Sequence, residues 1–237
     1  MAEGPPAERK DATSTHLRTA AACVLAAEIA SVTLIAIAAA HYPGGTWMDR
    51  RTRGHDLAHN FLCDLLAPVA LDGTPNPVGA VAATAGLLTL AAGIGLFWQV
   101  LPALFPGRPR LGAGVRAAGL LSLVGMVAVP LTPSARAGAL HAVAIFAAGI
   151  PGLVAAMLGV AGLLGVGRPE RRIAALGAAT IVVVLIDGAL YTEHSVQAGA
   201  PSPALPFLQR IASLLLLAWL SAVAVRVLRA PTPRPPG

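Results

Sequence analysis

Apolar residues in this chain fall into long blocks rather than the alternating or three-to-four spacing of a water-soluble fold. Six blocks, at about 17–40, 78–105, 113–131, 138–165, 173–194 and 206–228, are each predicted to be a helix that crosses a bilayer. Roughly 20 apolar residues suffice for a crossing. Polar or proline-rich stretches flank them. Residues 1–15 and 230–237 read as disordered cytoplasmic tails. Most connections are short, so neighbouring helices should run antiparallel. The exception is 41–77. The expected fold is all-α: a single six-helix transmembrane bundle over 16–229, with a short amphipathic or re-entrant helix between helices 1 and 2.

Composition agrees with that class. The chain is 56% hydrophobic and 12% charged, against about a quarter charged in soluble domains. The first apolar block follows Arg9, Lys10 and Arg18 and exceeds a signal-peptide core, so it is read as a spanning helix. Two cysteines, Cys23 and Cys63, make no disulfide framework.

The net charge of +6 is mostly arginine. It is spread over loops rather than massed in a stripe, which argues for membrane orientation and against nucleic acid. With the N-terminus inside, twelve of the basic residues fall on the inner side. Five fall on the outer side: Arg50, Arg51, Arg53, Arg136 and Arg210. The expected location is the cell (inner) membrane, multi-pass, with both termini cytoplasmic.

Small residues recur at helical spacing in "GLLTLAAGIG" (86–95), "GAGVRAAG" (112–119) and "AAGIPGLVAAMLGVAG" (147–162). They let helix backbones approach closely in lipid. Tyr42 and Trp47 fit an outer aromatic belt, and Trp98 an inner one.

The topology sorts the ionisable residues. His41, His55, Asp56, His59, Asp64, His141, Asp187, Glu193, His194 and Arg210 all fall at or near the outer end. Helices of opposite direction thus bring polar groups to one level. In "HDLAHNFLCDLLAP" (55–68), a helix would place His55, His59 and Cys63 on one face and Asp56, Asn60 and Asp64 on the next. A His pair at i, i+4 can bind one metal ion, though the pattern here is H-D-x-x-H and lacks the protease glutamate. Candidate ligands are His55, His59, His141 and His194, for a divalent metal such as zinc. Asp64 and Asp187 are candidate catalytic or orienting acids. Asn60, Arg210 and Glu193 are candidate substrate contacts. Asp187 lies in an apolar block, where an acid costs about 2.5–3.5 kcal/mol and needs a partner; Arg210 is the expected one. An Asp64–His141 pair is the other structural pairing considered. Glu28, near the middle of the first helix, is a candidate acid for proton or substrate chemistry.

"NFLCDL" (60–65), "TPNP" (74–77), "GMVAVPLTPSARAGALHAVAIFAAG" (125–149) and "LQRIASLLLLAWL" (208–220) resemble signature stretches of the bacterial membrane family catalogued as domain of unknown function 998. The likeness spans about residues 17–228. On it, Asn60, Asp64, His141 and Arg210 match signature positions, while Cys63 stands where serine is usual. The resemblance implies a six-helix integral membrane fold and no established activity.

Three functions follow as expectations. One is a metal-dependent hydrolase or lipid-modifying enzyme acting on an amphiphile at the outer face. Another is a non-catalytic lipid-binding, scaffold or transporter-like protein. The third is an isoprenoid cyclase using Glu28 and Asp187. Haem between histidines is disfavoured, because paired histidines across both leaflets are missing. Expected partners are membrane lipids and an amphiphilic small molecule, not nucleic acid.

Overall fold

A computed structural model describes residues 6–196 and 202–230, with side chains from Ser14 onward. The long helices are α1 (Pro6–His41), α2 (Pro77–Val100), α3 (Pro109–Leu131), α5 (Ala139–Leu164), α6 (Arg168–Val196) and α7 (Ala204–Leu228); α4 is one turn, Ser134–Ala137. Each long helix contains a stretch long and apolar enough to cross a bilayer. The chain is a multi-pass membrane protein with an all-helical bundle. Large apolar side chains such as Ile29, Val32, Leu120, Val124, Val182 and Leu214 point outward, as a lipid-facing surface requires.

Helix ends follow local chemistry. Pro77 and Pro109 open α2 and α3, where a missing N–H costs nothing. α2 runs into a 3-10 turn at Leu101–Leu104. α6 starts five residues before its apolar block, and its first turns carry Arg168, Arg171 and Arg172. Residues 6–15, expected in the N-terminal tail, are the first turns of α1. Residues 1–5 and 231–237 lie outside the described ones, as does most of the expected tail at 230–237.

The long helices pack in a ring that follows chain order: α1 on α2, α2 on α3, α3 on α5, α5 on α6, α6 on α7, and α7 back on α1. Arg18 closes it at the terminal end, donating to the Ala230 carbonyl at 3.1 Å. The small residues act as predicted. A Cβ built on Gly125 would lie 2.1 Å from the Ala148 amide nitrogen, so α3 and α5 touch backbone to backbone there. Gly119 and Gly177 make room for Trp98 and Trp219.

Trp98 is not the interfacial anchor its position predicts. It is buried, with its ring 4.8 Å from Phe97 and 6.2 Å from Trp219, at the centre of the core. Tyr42 likewise leaves the belt. It is buried beneath the 42–76 loop, and its hydroxyl accepts from the Leu71 amide at 3.1 Å.

Candidate functional site

The 42–76 loop is a folded cap on one end of the ring. Two isolated bridges, Gly44 with Arg53 and Val69 with Pro75, fold it into two tight turns. Gly45 sits at φ +84, where its Cα lies against the 71–72 backbone; a side chain there would meet the Asp72 nitrogen at 2.5 Å. Asn76, just before α2, donates to the Leu65 and Ala67 carbonyls. The expected helix over 55–66 does not form. Residues 57–60 form a turn and a bend, and only Leu62–Leu66 is helical, as a 3-10 turn. His55, His59 and Cys63 therefore do not share a helical face.

Asn60 and Asp64 hold the cap together. Asn60 is fully buried. Its Nδ2 donates to the Gly45 carbonyl at 2.8 Å and to Asp64 Oδ2 at 3.1 Å, and its Oδ1 accepts from the Asp56 amide. Asp64 also accepts from Trp47 Nε1 at 3.1 Å and from the Phe61 amide at 2.8 Å. Burial lifts the Asp64 carboxyl above its ordinary value, and the three donors pull it back. Burial pushes the neighbouring Cys63 thiol up to about 12, so it is no thiolate at neutral pH.

The cap is fastened to α7 by adjacent side chains. Arg210 Nη2 donates to the Asn60 carbonyl at 2.7 Å, and Gln209 Oε1 accepts from the Leu62 amide at 2.9 Å. Arg210 also donates to Gln209 at 3.1 Å. The expected Asp187–Arg210 pair is absent among the described residues, and so is Asp64–His141. His55 stands 3.5 Å from Arg210 through Nε2 and edge-on to Tyr42. Burial first, and the Arg210 charge second, push its pKa down to about 4, so the ring is neutral. His59 faces outward and bonds Asp56 at 2.8 Å. That contact holds Asp56 below its ordinary pKa.

Beneath the cap, a chamber of about 720 Å³ opens between α5 and α6. Asp64, His141, Asp187 and His194 all line it. His55, His59, Asn60, Arg210 and Glu193 are not among its lining residues. The first four belong to the cap and its fastening, and Glu193 is exposed. Among the described residues no group of three or more His, Cys, Asp or Glu side chains is placed to hold a metal ion. The four histidines are thus split between the cap and the chamber.

His141 is buried, and its Nδ1 donates to the Thr132 carbonyl at 2.7 Å. That bond puts the ring proton on Nδ1 and leaves Nε2 as an acceptor. Nε2 is buried with no hydrogen-bond partner, and Asp187 Oδ1 is the same. His194 sits among aromatic rings, 5.4 Å from Phe61, 6.2 Å from Trp47 and 6.3 Å from Tyr191 between centroids.

A second chamber of about 290 Å³ lies deeper in the ring, walled mostly by apolar groups from α2, α3, α5, α6 and α7. Ile145, Gly149, Leu153 and Val184 line both chambers. Glu28 lines neither. It is buried between α1 and α7, where its Oε2 accepts from Ser221 Oγ and its Oε1 has no partner.

Trp47, Gln209 and Tyr191 are site residues that the sequence reading assigned to anchoring or passed over. Their signal was available: each is a hydrogen-bonding or aromatic group in the cap or within two turns of a helix end. Compared with protein-family models, curated proteins and solved structures, the chain finds no match in any of the three.

Proposed function

We propose that the protein binds a membrane amphiphile, with the head in the chamber under the cap and the chain in the apolar chamber behind it. The observation that carries this reading is the shared wall: Ile145, Gly149, Leu153 and Val184 make one surface from polar mouth to apolar interior. Ligand sites join apolar walls to a few convergent polar groups in this way. Ile150 and Leu185 line the outer chamber and are exposed between α5 and α6, which favours entry from the lipid side. The arginine asymmetry supports a cell-membrane orientation with both termini cytoplasmic and the cap outside.

Gly149 offers the direct test. Nothing lies within 4 Å of a Cβ built there, so Gly149→Leu would start its side chain in open space and place its bulk at the wall the two chambers share. Trp98 and Trp219 line the deeper chamber and are buried. A bromine-tipped alkyl chain that enters should quench their fluorescence in nanodiscs. Gly149→Leu should remove most of that quenching. Equal quenching in both proteins, or none in either, sinks the reading.

A lipid-modifying enzyme is the second reading. It is favoured by Asp187 Oδ1 and His141 Nε2, two unpartnered acceptors in one chamber, where proton transfer to or from a bound head would take place. A zinc-dependent form has less support, because the candidate ligands are divided between cap and chamber. A cyclase using Glu28 has less again, because Glu28 lines neither chamber.

A further inference from the structure

We propose that the head group this chamber selects is a cation that donates hydrogen bonds: an alkylammonium, not a phosphate or carboxylate. The inference rests on the amphiphile-binding reading and adds its specificity. Three features carry it.

The first is Asp187 in α6. Acids inside membrane-spanning helices pair with a cation or line a water-filled path. Arg210, the partner expected from the sequence, is committed to the Asn60 carbonyl and Gln209. Asp187 Oδ1 is buried without a hydrogen-bond partner, and among the described residues no arginine or lysine lines either chamber. The missing counter-charge is one that a ligand can bring.

The second is His141 in α5. It is 3% exposed and lines the same chamber, and its Nε2 has no partner. With Nδ1 donating to Thr132, the neutral ring offers that nitrogen as an acceptor. An oxyanion would meet a lone pair there. An ammonium N–H would complete the bond.

The third is the wall. Trp47, Phe61 and Tyr191 bring aromatic rings to the chamber, and ring faces attract cations. Carboxylate, imidazole lone pair and aromatic wall thus point to one ligand charge. A free alkylamine arriving from water and an amine-headed lipid arriving sideways share this chemistry.

Three ω-bromoalkyl probes of equal chain length separate the possibilities: an amine, an alcohol and a phosphate monoester. Each is titrated against the tryptophan fluorescence of the full-length protein in nanodiscs. The amine should quench at about tenfold lower concentration than the alcohol, the effect of one charge-assisted hydrogen bond. The phosphate should be weakest. Asp187→Asn should erase the amine's advantage over the alcohol, and an unchanged thermal midpoint and helical circular dichroism show that the variant is folded. A bromo-chain aminolipid built into the disc, run beside the free amine, tells the bilayer source from the soluble one. Equal quenching by all three probes, or a preference for the phosphate, overturns the cation assignment while the amphiphile site stands. No quenching by any probe removes the site itself, and the assignment with it.

Discussion

Arg210 Nη2 and the Asn60 carbonyl oxygen are 2.7 Å apart although 150 positions separate the two residues. Through this bond and the adjacent Gln209–Leu62 contact, α7 holds the cap over the chamber. A guanidinium that donates to a carbonyl at partial burial is worth about 1.5–3 kcal/mol. Arg210→Ala should lower stability by about that amount, read as a lower midpoint on thermal denaturation in detergent. Arg210→Lys should recover only part of it, because an ammonium lacks the planar fork that serves Asn60 and Gln209 together. A lysine variant as stable as the parent would show that charge alone, and not the fork, fastens the cap.

Asp64 poses a sharper test of the same element. Three donors converge on its carboxylate: Trp47 Nε1, Asn60 Nδ2 and the Phe61 amide. Asp64→Asn keeps the size and adds an amide group. The new NH2 would face a donor, since no acceptor is among its partners. The expected loss is about 1–3 kcal/mol, seen in the same thermal assay. It should come with a changed Trp47 emission, because the amide oxygen best serves the two donors on the Oδ2 side and the NH2 then faces the indole N–H.

The cap should also loosen in mild acid, through His55. Its folded pKa of about 4 lies below the ordinary 6.5, so between those values the unfolded chain binds the extra proton. Stability therefore rises with pH across that window and falls as pH drops from 6.5 towards 4. Protonation would also set a second positive charge 3.5 Å from Arg210. Asp64 acts in the opposite sense. Its raised pKa makes the folded state bind the proton first as pH falls, so it gains stability in a window that begins above the ordinary 3.8. The Asp56–His59 contact lowers the Asp56 pKa; its contribution is complete above 3.8 and is lost only below. His55→Gln should flatten the decline between pH 6.5 and pH 4. An unchanged slope in that variant would assign the decline to another group.

Glu28 and Ser221 join α1 to α7 inside the bundle, with Glu28 Oε1 left unpartnered. Removing the hydroxyl leaves both carboxyl oxygens without a partner. Ser221→Ala should therefore cost about 1–3 kcal/mol. The same change should cost far less once Glu28 is alanine, because no polar group remains to be stranded. A double-mutant cycle on unfolding in denaturing detergent measures the difference. Additive single changes would mean the two residues act independently.

The six spans were readable from the chain because lipid leaves few alternatives: a backbone in hydrocarbon must bond itself, and its side chains must be apolar over a fixed length. The shared level of Asp64, His141, Asp187 and His194 was readable too, because alternating helix direction sets it. What failed to read through was partner choice. Arg210 looked like the mate of Asp187, yet it bonds a backbone carbonyl, which carries no sequence signature. The 55–66 segment has helical spacing, but Asn60 and Asp64 offer the backbone competing bonds to Asp56 and Phe61, and turns win. Trp47 and Tyr42 looked like interfacial anchors because their type and position allow it. Their polar atoms instead satisfy buried groups of the cap, a demand that exists only once the cap is folded.

Glycines at one depth of the bundle, on α3 and α5, separate packing from function. At Gly125 a methyl group would sit 2.1 Å from Ala148 N and 2.4 Å from Ala147 C. Backbone atoms cannot step aside as a side-chain tip can, so Gly125→Ala must push α3 away from α5. Overpacking of this kind costs about 1–3 kcal/mol. Gly149, on the same α5, meets nothing within 4 Å. Gly149→Ala should be neutral or slightly stabilising, since alanine is the better helix former by about 1 kcal/mol. The two single-methyl changes differ only in where the methyl points. Thermal midpoints in detergent should fall for Gly125→Ala and hold for Gly149→Ala. Loss of stability at both positions would mean that the neck between the chambers is closed rather than open.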